Sequence, residues 1–150
     1  LVLIGPGDPA TDARVRALAA QEGVAVVGAK PYADVPAWLQ GLDVGVIPFR
    51  AALPHVQGIN PNKVYQFLAA GLPVVTTPLL DLAPAPPHLQ FATDVPAWEG
   101  ALARALDAPR DPAAARALAR PHDWDALAAR MVEEMERRVA GPARSRTAVS

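Results

Sequence analysis

The chain has 150 residues, 51% of them hydrophobic and 19% charged, the composition of a folded domain with a real core rather than of a disordered segment. Its formal net charge of −1 leaves no basic excess to replace phosphate counterions, which argues against nucleic acid as an electrostatic partner. There is no cysteine, so disulfides, thiol nucleophiles and cysteine metal sites are excluded, and a reducing compartment fits.

The first residues, Leu1 to Ile4, form an apolar, strand-like run without an initiator Met. The chain therefore reads as a fragment whose upstream part, the first strand of its sheet included, has been removed. No apolar run approaches the roughly 20 residues of a membrane span, and no signal peptide is visible. Further β-like runs follow at 24–28, 43–48 and 73–76, with a weaker one at 88–91. The first four runs are almost continuously apolar, as strands buried on both faces of a parallel sheet should be. Helical patterns at 12–22, 34–40 and 61–70 separate them, so the expected class is α/β, a doubly wound parallel sheet built from βαβ units.

The pentapeptide Asp-Val-Pro-Ala-Trp occurs at 34–38 and again at 94–98. Each copy predicts an Asp cap, an early proline and a buried Trp, and convergence on a good helix start explains the repeat without duplication. From residue 94 onward the pattern is helical: 94–106, 112–119 and 124–139. Trp124, Leu127, Met131, Met135 and Val139 form an apolar stripe on the last helix, and the pairs Arg130–Glu134 and Glu133–Arg137 sit four apart on its other side. One domain over 1–140 and a disordered tail over 141–150 are expected.

Residues 58–76 carry the most specific signal: Gly-Ile-Asn-Pro-Asn-Lys-Val-Tyr-Gln-Phe-Leu-Ala-Ala-Gly-Leu-Pro-Val-Val-Thr. They read as a loop, a helix, a tight turn and a buried strand, with the polar residues gathered at the helix start. Asn60 is placed to cap the helix, and Pro61 suits its first position. Val64, Phe67, Leu68 and Gly71 share the face toward the sheet, while Asn62, Lys63 and Gln66 share the other edge. A helix N-terminus with a lysine and two amides favours an anionic, hydroxylated ligand. Lys63 and Lys30 are the two lysines of the chain.

Ligands of open parallel sheets gather beyond the carboxyl ends of the strands. Those ends are Gly5-Pro6-Gly7-Asp8, Gly28-Ala29-Lys30, Pro48-Phe49-Arg50 and Thr76-Thr77-Pro78, joined by a loop with Arg50, His55 and Gln57. Each also has a plainer reading. Gly5-Pro6-Gly7 lacks the third glycine and downstream acid of a dinucleotide fingerprint. Gly28 can be a simple turn, a lone helix lysine is usually solvated, and His88 and His122 read as structural. Neither a metal-ligand spacing nor a serine nucleophile elbow is present, the only serines being Ser145 and Ser150.

With these residues laid out, the chain resembles the C-terminal, donor-binding domain of a retaining glycosyltransferase of the GT-B fold, the group 1 class. The resemblance is carried by residues 1–7, by Gly28, Tyr32 and Trp38 together with 43–49, and above all by 60–75. His122-Asp123-Trp124-Asp125 resembles that family's closing helix start. It implies a UDP- or GDP-linked sugar donor, no metal or other cofactor, and a glycan or lipid-linked acceptor held by the absent N-terminal domain. It also implies a role in polysaccharide biosynthesis and a cytoplasmic location at the inner face of the membrane, leaving open a peripheral membrane association of the full-length protein. By the same resemblance the donor contacts are Gly5, Gly7, Gly28, Lys30, Asn60, Asn62, Lys63, Gln66 and Thr76. Lys63 is the candidate for stabilising the leaving diphosphate, Gln66 for binding the ribose, and no catalytic residue is assigned.

Two departures stand out. Where the family commonly has two glutamates separated by seven residues, this chain has Gly58 and Gln66. The alternatives are a non-catalytic nucleotide-sugar-binding module and a nucleotide-sugar epimerase domain, although Asp8, Asp43 and Asp81 are poor acid/base candidates. The isolated chain is expected to bind donor weakly and not to catalyse, because half a cleft cannot hold both reactants.

Overall fold

The computed structural model describes residues 1–50, 53, 56, 59–79 and 88–140. The expectations for His55, Gln57, Gly58, Asp81 and the tail from 141 lie outside the described residues. The protein is α/β with parallel strands, and it divides into two compact units, Leu1–Gly41 and Leu42–Ser150.

In the first unit, β1 (Val2–Ile4) pairs in parallel with β2 (Ala25–Gly28) across α1 (Ala13–Ala19). Asp12 caps α1 by accepting a hydrogen bond from the Arg14 N–H at 2.8 Å. That bond holds its carboxyl below the usual carboxylate range. A 3-10 turn, Tyr32–Asp34, leads into α2 (Val35–Gln40), which buries Leu39. Asp34 does not cap α2, and Trp38 is exposed rather than buried. Both outcomes correct the expectation from the pentapeptide. Preceded by the 3-10 turn, Asp34 has helical backbone angles (φ −88°, ψ −18°), so its carboxylate does not reach the free N–H groups as an extended cap residue would.

The second unit carries a three-stranded parallel sheet in the order β3 (Gly45–Ile47), β4 (Val74–Thr76), β5 (Leu89–Phe91). Its register pairs Val46 with Val75 and Val75 with Gln90. Strand side chains alternate between faces, so the central β4 needs cover on both sides. Val74 joins Ile47, Val64, Leu68, Leu89, Ala115 and Ala119 in one buried cluster, under α3 (Asn62–Ala69) and α5 (Pro112–Ala119). Val75 joins Ala92, Ala101 and Ala105 in the other, under α4 (Val95–Asp107). The small alanines let α4 and α5 approach closely.

Asp94 and Asp111 cap α4 and α5, accepting from Ala97 N–H and Ala114 N–H, each at 2.9 Å. A second 3-10 turn, Arg120–His122, precedes α6 (Trp124–Ala140). The apolar stripe of α6 faces solvent: Trp124, Met131, Met135 and Val139 are all exposed. The expected ion pairs on α6 are replaced by others. Glu134 binds Arg137 and Arg138, because the Arg130 guanidinium instead donates to the Pro121 carbonyl at 2.7 Å.

Candidate donor site

The β3–α3–β4 crossover places the start of α3 at the carboxyl ends of the strands. A helix joining two parallel strands must run back against them. The turn out of β3 is tied to β4 by hydroxyls. Thr77 Oγ1 donates to the Phe49 carbonyl at 2.8 Å, and Thr76 Oγ1 lies 3.1 Å from the Ile47 carbonyl and 3.2 Å from that of Thr77. Thr76 is completely buried, so its hydroxyl holds the sheet edge together and is not presented at a surface. Arg50 follows on that edge and is exposed.

At the start of α3 the residues separate by role. Val64 and Leu68 are buried against the sheet, Asn62 and Lys63 are exposed, and Gln66 is half-buried. Lys63 makes no ion pair among the described residues. The expected cap is corrected here. Pro61 occupies the cap position with extended angles (φ −78°, ψ 119°), and no side chain caps the helix. Asn60 instead uses its side-chain oxygen to accept from the Tyr65 hydroxyl at 2.8 Å. Among the described residues the N–H groups of Asn62 and Lys63 thus have neither a backbone nor a side-chain acceptor, and that of Val64 donates to the Pro61 carbonyl at 3.0 Å, in contrast to the Asp-capped α1, α4 and α5. With no acid in its first turn and Lys63 beside it, this helix end carries positive potential.

Tyr65 has a second neighbour. Its ring stacks on His122, centroids 3.9 Å apart and planes 15° from parallel. The sequence reading assigned Tyr65 no role and His122 only a structural one. The available signal was the phenol itself, because a half-buried tyrosine hydroxyl needs a partner and Asn60 is the amide leading into its helix. Burial, and after it the Arg130 guanidinium, pushes the His122 imidazole below its ordinary value of 6.5. The unfolded chain then takes up this proton first. The stabilising contribution is full above 6.5 and is lost as pH falls through that value toward the lower folded one. The thermal midpoint is expected to fall on acidification from about pH 7 to about pH 5, with a shallower fall in His122→Phe. Equal slopes for the two proteins would show that the imidazole is not responsible.

In the first unit, Gly5, Gly7, Gly28 and Lys30 lie at the carboxyl ends of β1 and β2. Gly5 N–H donates to the Gly28 carbonyl at 3.2 Å, and a side chain at Gly5 would meet nothing within 4 Å. Gly7 has a packing reason, since a Cβ there would lie 2.9 Å from Val15 Cγ2. Gly28 has a conformational one, its φ being +72°. Lys30 Nζ lies 4.7 Å from the centre of the exposed Trp38 ring, a cation–π contact. Of the carboxylates weighed for epimerase chemistry, Asp8 accepts from the Ala10 N–H within a turn and Asp43 pairs with Arg110. Among the described residues no His, Asp and Glu cluster could hold a metal ion, and no helix is long and apolar enough to cross a membrane.

The pattern of the glycosyl transferases group 1 family matches residues 1–136. The chain belongs to that family. A curated relative, named "Putative teichuronic acid biosynthesis glycosyltransferase TuaH", from Bacillus subtilis (strain 168), is 33% identical over 76 residues. That match covers 51% of this chain and 19% of the relative, so it spans about a fifth of the relative's length. No solved structure matches the chain significantly.

Proposed function

We propose that this group 1 domain is the donor-binding half of a retaining GT-B glycosyltransferase that takes a sugar from a UDP or GDP donor. The diphosphate lies at the start of α3, against the N–H groups of the first turn and the ammonium of Lys63. The observation that carries this reading is the uncapped, acid-free N-terminus of α3 with Lys63 exposed on it. An anion supplies there what Asp12, Asp94 and Asp111 supply elsewhere. As the sugar–phosphate bond breaks, negative charge grows on the leaving diphosphate, and fixed N–H dipoles and a lysine stabilise that charge without needing to reorganise. Gln66, on the same edge of α3, suits the ribose hydroxyls. The acceptor is a glycan or a lipid-linked glycan, in keeping with the teichuronic acid biosynthesis in the relative's name.

The test is a calorimetric titration of the complete protein carrying this chain with UDP, GDP and their sugar conjugates, repeated with Lys63→Ala. Removing the lysine should weaken nucleoside diphosphate binding about tenfold, the worth of one charge-assisted contact, and should leave binding of the bare nucleosides unchanged. Unchanged diphosphate affinity would overturn this placement. Binding without any sugar transfer would favour a non-catalytic module, the reading that Gly58 and Gln66 support in place of the family's two glutamates.

A further inference from the structure

We propose that His122 and Tyr65 form a positioning device that fixes Asn60 in one orientation, so that its amide turns its NH₂ group to the diphosphate end of the site. The inference rests on the donor reading of α3 and adds to it a residue from the distant 3-10 turn Arg120–His122.

A side-chain amide has an accepting oxygen and a donating nitrogen, and a solvated Asn presents either. Here the oxygen is held in one direction, because the Tyr65 hydroxyl donates to Asn60 Oδ1 at 2.8 Å. The NH₂ group then lies on the side away from Tyr65, on a side chain that is otherwise exposed and that immediately precedes Pro61 and the uncapped turn of α3. An NH₂ suits phosphate or sugar oxygens and disfavours a metal ion or an ammonium. Tyr65 can do this only if its ring does not swing. One side of the ring lies on His122, at a centroid distance of 3.9 Å. The histidine is itself anchored. Arg130, from α6, donates to the carbonyl of Pro121, and Asp123 N–H closes the turn on the Arg120 carbonyl at 3.2 Å. The closing segment of the domain thereby sets the polarity of a group at the opposite end of the motif.

The device is distinguishable from simple packing. Tyr65→Phe keeps the ring and the stack but frees the Asn60 oxygen. In the complete protein it should weaken binding of UDP and of inorganic pyrophosphate about tenfold with little change in thermal midpoint. Asn60→Ala should show a similar loss, and the double variant no more than Asn60→Ala alone, because the tyrosine acts through the amide. His122→Ala should lose affinity several-fold, and His122→Phe, which preserves the stack, should recover it.

Affinity unchanged in Tyr65→Phe, or losses that add fully in the double variant, would overturn the proposal. Should His122→Ala fail to fold, the Tyr65 and Asn60 pair still decides. If diphosphate affinity depends on Lys63 but not on Tyr65, this inference falls alone; if neither UDP nor pyrophosphate binds the unmodified protein, it falls together with the donor reading.

Discussion

Replacing Gly71 by alanine is expected to cost about 2–5 kcal/mol of unfolding free energy, a large share of what a domain of this size has. Gly71 ends α3. Its N–H donates to the Leu68 carbonyl at 2.9 Å, and the Leu72 N–H donates to the Phe67 carbonyl at 3.0 Å, the paired bonds of a Schellman turn. Such a turn needs a residue with positive φ, and here φ is +85°. A side chain adds strain of about 1–2 kcal/mol at that angle. It also has no room, since a Cβ would lie 2.7 Å from Pro112 Cβ and 3.2 Å from its Cα, at the first residue of α5. Neither obstacle relaxes cheaply, because α5 is already held against α3 by the Arg116 guanidinium on the Ala69 carbonyl and by the buried Ala115 and Ala119. A urea-denaturation midpoint within about 1 kcal/mol of the unmodified protein would show that the turn can adopt another form.

Much of the fold was legible because the strands are nearly all apolar and the helices nearly all amphipathic. Among the described residues the strands and helices lie where the patterns put them, with ends moved by a residue or a few. What the pattern could not carry was context. The two copies of Asp-Val-Pro-Ala-Trp make the point directly. At 94–98 the Asp is extended (φ −137°, ψ 172°), caps its helix, and Trp98 packs beside Ala101 and Ala105. At 34–38 the same five residues follow a 3-10 turn, the cap is lost, and Trp38 lies under Lys30 instead. The local code is identical; the backbone that enters it is not.

At the candidate site the spacing decides only which residues share an edge. The polar edge of α3 could be placed by its spacing, and Asn62 and Lys63 are indeed exposed on it. Asn60 was misread because a cap residue and a loop amide look alike in sequence. Which one forms depends on whether an alternative donor stands nearer than the helix N–H groups, and here Tyr65 does. Thr76 was misplaced for the opposite reason. A threonine at a strand end reads as a rim hydroxyl, but the parallel partner β3 leaves a carbonyl opposite it, and burial directs the hydroxyl there. The Tyr65–His122 stack joins residues 57 positions apart and has no local signature in either segment.

Gly45→Ala is the second large effect expected, about 3 kcal/mol, and it bears on the site as well as on stability. Gly45 opens β3 at a buried position where α3 crosses the sheet, and a Cβ there would lie 2.4 Å from Phe67 Cγ and 2.9 Å from Phe67 Cβ. The strand cannot recede, being hydrogen-bonded to β4 through the Gly45 N–H and the Pro73 carbonyl at 2.9 Å. The helix must therefore yield, and Phe67 lies one turn beyond Lys63 on it. Any tilt that makes room for the new methyl group also moves the first turn of α3, so nucleoside diphosphate affinity should fall together with the denaturation midpoint. Removing the obstructing ring should reverse both changes. Gly45→Ala combined with Phe67→Ala is expected to be more stable than the sum of the two single effects by at least about 1 kcal/mol. Strict additivity would mean that the close approach of β3 and Phe67 is not what requires glycine at this position, and that α3 is seated by its buried Val64 and Leu68 alone.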